Sequence, residues 1–469
     1  MKKSYSIDMC SGPIMRKMIA YTIPIMLTGF LQLLYNAADL VVIGQFSSQH
    51  AFAAVGATGS LYNLFMTLFL GISGGGCICV AQYYGARDGK NVSETVHTCI
   101  LFSIIGGIVV GVFGFIFVED ALKLMGTHED IIDMSALYLR IVLSVTPFTL
   151  FYNFAAGILR ATGDTKRPFY ILVITGAVNV ILNLVFVIIF KMSVDGVALA
   201  TAIGSVLNAV FAAYLLMNSG DSIRLNLRHL RIHGDKLIKI LNYGIPSALQ
   251  SLLFSVSNVI IQSAVNSFKI VAVVGGNSAS SSIEGFIYTA MNSIAQTSLN
   301  FSGQNYGARQ YKRIDKVLIN SCILTTITGV VMGAFALIFS EPLLRIYEPT
   351  GTEAVGYGLI RLTIIASTYF LCGNYEAIMS ALRGIGSSWA PTIIALISVG
   401  GVRIVWIYTI FQKFHTLQTL YISWPLTWIT SIILLTITYQ ATKKKYFDKN
   451  EKQFINSGQT DEKNEVAVS

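Results

Sequence analysis

Separate motifs of this chain recur at an offset of about 222 residues. Tyr21-Thr22-Ile23-Pro24 returns as Tyr243-Gly244-Ile245-Pro246. Gln82-Tyr83-Tyr84-Gly85-Ala86-Arg87 returns as Gln304-Asn305-Tyr306-Gly307-Ala308-Arg309. Leu159-Arg160, Gly163 and Pro168 return as Leu382-Arg383, Gly386 and Pro391. A single match arises by chance, but separated motifs that keep nearly one offset mark a duplication. Any fold for this chain is therefore two similar halves set against each other.

Hydrophobic residues make up 54% of the 469, and only 12% are charged, where a soluble domain carries about 25% charged residues. The apolar residues come in runs long enough to cross about 30 Å of hydrocarbon as helices. A net charge of +9 raises the question of nucleic-acid binding, and its distribution answers it. Of the 33 Lys and Arg residues, 25 fall on loops of one side or on the termini. Cytoplasmic loops collect Lys and Arg in this way, which places both termini in the cytoplasm.

The runs predict about twelve spans: 17–44, 52–81, 95–118, 134–157, 168–190, 194–217, 238–266, 274–303, 315–340, 356–382, 391–412 and 415–441. Six per half is an even number, so the second half enters the membrane in the same sense as the first. The expected fold is an all-α membrane protein, with two parallel six-helix repeats around a central cleft. The expected units are a cytoplasmic N-terminus (1–16), an N-lobe (17–217), a basic linker (218–237), a C-lobe (238–441) and a disordered tail (442–469). Duplicated membrane proteins of this kind are commonly transporters with a site between the halves.

Polar residues inside apolar spans are the informative ones, because an ionised carboxylate at mid-membrane costs about 2.5–3.5 kcal/mol on insertion scales. Asp39 is the strongest case, with Asn36 three residues earlier on the same face. At the repeat positions Asn36 meets Asn258, but Asp39 meets Ile261, so the acid belongs to the first half alone. Asn179 and Asn183 share one face of the fifth span, and Thr201 lies in the sixth. With Tyr152 and Asn153 of the fourth, they are expected to form an oxygen-rich cavity around Asp39, suited to a proton or a sodium ion. Amide–amide contacts between helices would explain the asparagines equally. Tyr35, Tyr152, Asn153, Glu284, Glu376 and Arg403 are the candidates for a substrate cleft, with Glu376 at the repeat position of Asn153. The alternative for the charged ones is that Glu284 or Glu376 pairs with Arg403 as structural support.

Little favours an enzyme. The six Cys include no CxxC pair, and the six His show neither metal-ligand spacing nor a nucleophile–base pairing. Gly71-Ile72-Ser73-Gly74-Gly75-Gly76 lacks the Gly-Lys-Ser/Thr of a phosphate loop, and close helix packing explains it better.

Taken together, several motifs resemble the multidrug and toxin extrusion (MATE) family, over about residues 13–440. They are Pro24 with Asn36-Ala37-Ala38-Asp39 and Gly44, Ala54-Val55-Gly56-Ala57, and Gln82-Tyr83-Tyr84-Gly85-Ala86-Arg87. Leu159-Arg160-Ala161-Thr162-Gly163-Asp164-Thr165, Gly196-Val197-Ala198-Leu199-Ala200-Thr201 and Gln304-Asn305-Tyr306-Gly307-Ala308 complete the set. The resemblance implies two six-helix lobes and export of mostly cationic, amphipathic compounds in exchange for protons or sodium. It also implies a bacterial, DinF-like member in the inner membrane. Asp39 matches the first-helix acid of the family, Asn179 the Asn of a fifth-helix Asn-x-x-x-Asp pattern, and Thr201 a sixth-helix Thr. The chain departs from that pattern at Asn183, and it has Phe254-Ser255 near the place of a seventh-helix Glu. No cofactor is expected beyond the coupling ion, with sodium possible at Asp39, and no nucleic-acid partner. One chain is expected to suffice within the bilayer. The rivals are a flippase for lipid-linked precursors and, from another class, a membrane-embedded enzyme or receptor.

Overall fold

The computed structural model describes residues 6–220, 222–348 and 351–468, with side chains through residue 445 apart from residue 49. Every regular element among them is helical. An apolar chain satisfies its backbone polar groups within each segment only as a helix, unless it closes a barrel.

The first half comprises α1 (Ile14–Phe46), α2 (Gln49–Gly85), α3 (Gly89–Leu124), α4 (Glu129–Ser144), α5 (Thr146–Ala161), α6 (Lys166–Leu184) and α7 (Val194–Met217). The second comprises α8 (Gly234–Asn266), α9 (Val271–Gly307), α10 (Tyr311–Ile338), α11 (Ser340–Tyr347), α12 (Thr352–Gly384), α13 (Trp389–Ala395), α14 (Arg403–Trp406) and α15 (Leu417–Val468). A π-helical turn, Val185–Ile189, extends α6, and two more, Leu396–Val402 and Ile407–Phe411, flank α14. Val185–Ile189 and Ile407–Phe411 hold corresponding places in the two halves.

Ten helical segments are long and apolar enough to cross a bilayer, counting α6 and α13–α14 with their π turns. An eleventh is the α4–α5 pair, bent by 50°. The predicted span 134–157 is thus a broken helix. Pro147 lies in the first turn of α5, and proline cannot give the N–H that would carry α4 straight on. The more polar α9, 37 residues long, falls outside this count of the described residues.

Glycine lets the halves meet closely. A Cβ on Gly75 of α2 would lie 2.3 Å from the Ile240 carbonyl oxygen of α8, and one on Gly244 would lie 2.6 Å from the Ile72 Cα. The glycine run 71–76 therefore serves helix packing, as its sequence suggested. Tyr21 of α1 packs edge-on against Phe301 of α9 at 5.5 Å, and the hydroxyls of Thr22 and Thr297 are 2.7 Å apart.

Two terminal regions depart from expectation. The stretch expected to be a disordered tail continues as helix to Val468. Ahead of α1, Ser6 to Gly12 spans both halves. The Ile7 N–H donates to the Gly163 carbonyl at 3.0 Å, while the Met9 carbonyl accepts from Asn305 at 3.1 Å. The linker is also anchored: the Asn226 N–H reaches His97 Nε2 at 3.1 Å, and Ile223 and Leu225 are buried.

Candidate functional site

Between the halves lies a cleft of about 670 Å³, lined chiefly by α1, α2, α5, α9 and α12. Of the residues anticipated there, Tyr152, Asn153 and Glu376 line it. Tyr152 and Asn153 are held within their own half, by the Pro168 carbonyl at 3.4 Å and the Thr149 carbonyl at 2.8 Å. Glu376, at the repeat position of Asn153, is only 6% exposed. What exposure it has is toward this cleft.

The other anticipated cleft residues lie elsewhere. Tyr35 packs across Gly176 of α6, with its hydroxyl 3.5 Å from the Val173 carbonyl. Glu284 is buried inside the second half. Arg361 grips it with two bonds, Nε to Oε1 at 2.8 Å and Nη2 to Oε2 at 2.6 Å. Arg361 also donates to Asn277 at 2.6 Å and faces the Trp424 ring at 5.3 Å. Arg403 pairs with neither glutamate. It donates to Ser257 at 2.9 Å and stacks over the other side of the same network, 4.8 Å from the Trp424 ring. A buried guanidinium needs a fork of acceptors or an aromatic face, and Arg361 on α12 was better placed than Arg403 to reach the carboxylate.

Around Asp39 the structure brings together α1, α4, α6 and α7, while Tyr152 and Asn153, expected there, line the central cleft instead. Asn183 Nδ2 donates to Asp39 Oδ1 and lies 3.4 Å from Asn179 Oδ1. Tyr138 approaches both Asp39 and Thr201. Asn183 Oδ1 is buried without a hydrogen-bond partner. Asn36 departs from this group: it is exposed and lines the central cleft. Three residues further along α1, Asp39 turns instead toward α6, so one helix serves both sites.

Other cleft residues were not anticipated. Tyr288, Asn292, Gln296 and Asn300 line it from α9, and their spacing of four is a readable polar stripe. Arg160 and Arg383, assigned from sequence to cytoplasmic loops, lie in the last turns of α5 and α12 and line the cleft. Arg383 donates to the Gln250 amide oxygen, and its Nε is buried without a partner.

Where α2 and α9 end, the halves interlock. Gln82 Nε2 donates to the Gly384 carbonyl at 2.9 Å, and Gln304 Nε2 to the Ala161 carbonyl at 2.7 Å.

The MatE family model matches this chain twice, over residues 24–185 and 246–409, once in each half. A probable multidrug resistance protein of Bacillus subtilis, YoeA, is 27% identical over 445 residues, 92% of this chain and 94% of that protein. The probable multidrug resistance protein NorM of Thermotoga maritima is 24% identical, over 83% of this chain and 84% of its own. The fold is similar to the outward-facing conformation of a MATE transporter of the MOP superfamily, with a TM-score of 0.88 and 20% identity over 96% of this chain and 100% of that one. Transport, not catalysis, is what these relatives share. By the two family matches, one in each half, this chain belongs to the MATE family of membrane transporters.

Proposed function

We propose that the protein exports amphipathic compounds bearing a positive charge, by alternating access, in exchange for H⁺ or Na⁺. The arrangement around Asp39 carries this reading. A carboxylate is met by one amide donor, while the Asn183 oxygen nearby is buried and unmatched. Buried acceptors without donors are unfavourable, and a proton or a hard cation relieves them. Asp39 shares α1 with the cleft residues Gln32 and Asn36, so ion occupancy that bends α1 changes the cleft. In the cleft, Glu376 offers a partly desolvated carboxylate to the positive charge of the cargo. Each charge moved draws about 2.3 kcal/mol per 100 mV.

In this reading both termini are cytoplasmic, and the glutamine-locked end faces the cytoplasm in a bacterial inner membrane. One chain supplies the whole cleft, so the monomer is the working unit. The flippase alternative keeps one point in its favour, the two arginines at the cleft. About twelve membrane helices, instead of the fourteen it calls for, weigh against it.

The test is reconstitution of the full chain in vesicles with ethidium, under proton and sodium gradients imposed separately, for wild type and Asp39→Asn. Ethidium movement driven by one gradient and lost in the variant establishes exchange and names the ion. Equal movement in the variant removes Asp39 from the coupling. No movement under either gradient, with folded protein, favours the flippase.

A further inference from the structure

Arg160 and Arg383 occupy matching places in the two halves, one residue from the ends of α5 and α12. An arginine in a last helical turn ordinarily complements the free carbonyls there. Here both line one cleft, with a single acid, Glu376, among its lining residues. Neither is within ion-pair distance of a carboxylate among the described residues. Arg160 holds Tyr21 through its backbone carbonyl, at 2.7 Å, and not through its side chain. Arg383 spends one Nη on Gln250 and leaves its Nε buried without an acceptor.

The cleft therefore holds two guanidinium groups against one carboxylate. A buried guanidinium N–H without an acceptor, as at Arg383 Nε, is unfavourable, and a planar guanidinium is best satisfied by a planar oxyanion bound through two N–H groups. Both arginines lie near the interlocked end, on the helices whose last carbonyls receive Gln304 and Gln82. Glu376 lies about two turns before Arg383 on α12. A molecule that presents a cation to Glu376 thus has its opposite end over the arginines.

We infer that Arg160 and Arg383 form a carboxylate subsite at the floor of the cleft, so that the favoured cargo is a zwitterionic amphiphile. The inference rests on the export function proposed above and narrows its cargo. The cation end meets Glu376, the carboxylate meets the arginine pair, and the body between them lies along α1 and the polar stripe of α9.

The pair rhodamine 110 and rhodamine 123 tests it, since the second is the methyl ester of the first and lacks its carboxylate. Binding to the full chain in lipid nanodiscs at neutral pH is read by fluorescence anisotropy. Rhodamine 110 is expected to bind about tenfold or more tightly than its ester, as a charge-assisted pair requires. Arg160→Gln and Arg383→Gln are each expected to shrink that ratio by weakening binding of the acid more than that of the ester, and Arg383→Lys to retain part of it. Equal or tighter binding of the ester by the wild type overturns the subsite. So does a ratio that survives both substitutions while their melting temperatures fall, which marks the arginines as helix-end support only. Ester export with no preference for the acid sinks the subsite and leaves the exporter standing. Failure of folded protein to bind either dye sinks both.

Discussion

Gln82 and Gln304 make the same hydrogen bond in opposite directions, each from the end of its own long helix to the last carbonyls of a helix in the other half. Their neighbours are as tightly set. A Cβ on Gly85 would lie 2.0 Å from the Gln304 carbonyl oxygen, and one on Gly307 would lie 1.8 Å from that of Gln82. Only bare glycine backbone allows the two helices to cross so closely, and the crossing closes one end of the cleft.

Opening that end breaks both glutamine bonds. A neutral hydrogen bond contributes about 1 kcal/mol net, so the Gln82→Ala, Gln304→Ala double variant is expected to shift the equilibrium toward opening by about 30-fold. A reporter cysteine at Ala81, fully buried beside Gly303 at the crossing, in a cysteine-free background reads this as faster alkylation. An unchanged rate would mean that the glycine crossing alone holds the end shut.

The N-terminal segment bridges the same end. Asp8 caps it, accepting from the Ser11 hydroxyl and, at 2.9 Å, from the Cys10 N–H. These bonds, the Ser11 one foremost and aided by Lys17, hold the Asp8 carboxyl below the usual carboxylate range against the opposing effect of partial burial. A depressed folded value means that the contribution is present at neutral pH and lost as pH falls through that value. Hydrogen exchange at the Cys10 amide, relative to its intrinsic rate at each pH, should stay slow at pH 7 and accelerate only in acid. Asp8→Asn should make it fast and nearly independent of protonation in that acid range.

Arg361 and Glu284 are a buried pair, 6% and 5% exposed. Arg361→Leu strands the carboxylate and is expected to destabilise the fold by about 3–5 kcal/mol. Replacing both, Arg361→Leu with Glu284→Leu, should recover most of that loss in thermal unfolding. A double variant no better than the single one would show that the pair is needed for more than its own neutralisation, with Asn277 the first suspect.

Asp39→Asn keeps the volume of the side chain and an oxygen acceptor for Asn183. Its melting temperature should match the wild type, while gradient-driven transport falls to background. A large drop in stability instead would assign Asp39 to the structure of the α1–α6 contact.

The duplication, the helical class and the contact of Asp39 with Asn183 were readable from residue order, but the expected place of Tyr152 and Asn153 beside Asp39 was not met. The three that were readable rest on periodicity or on polar atoms that hydrocarbon will not tolerate, and these are local properties of the chain. Partner choice was not readable in the same way. Glu284 had two arginines at similar depth, Arg361 and Arg403, and only the rotation of α12 against α9 decided for Arg361. Asn36 and Asp39 share a helical face within a residue's turn, yet one lines the cleft and the other reaches α6. Arg160 and Arg383 follow the same logic. Their sequence neighbourhood reads as loop, because cations cluster at cytoplasmic helix ends. That they line the cleft depends on how the halves lean together, and that lean is set by glycine contacts between residues more than 160 positions apart. Sequence alone determined what each half is made of. The tertiary structure decided which polar side chains face one another across the halves, because the direction of a side chain depends on the rotation of its helix against a neighbour.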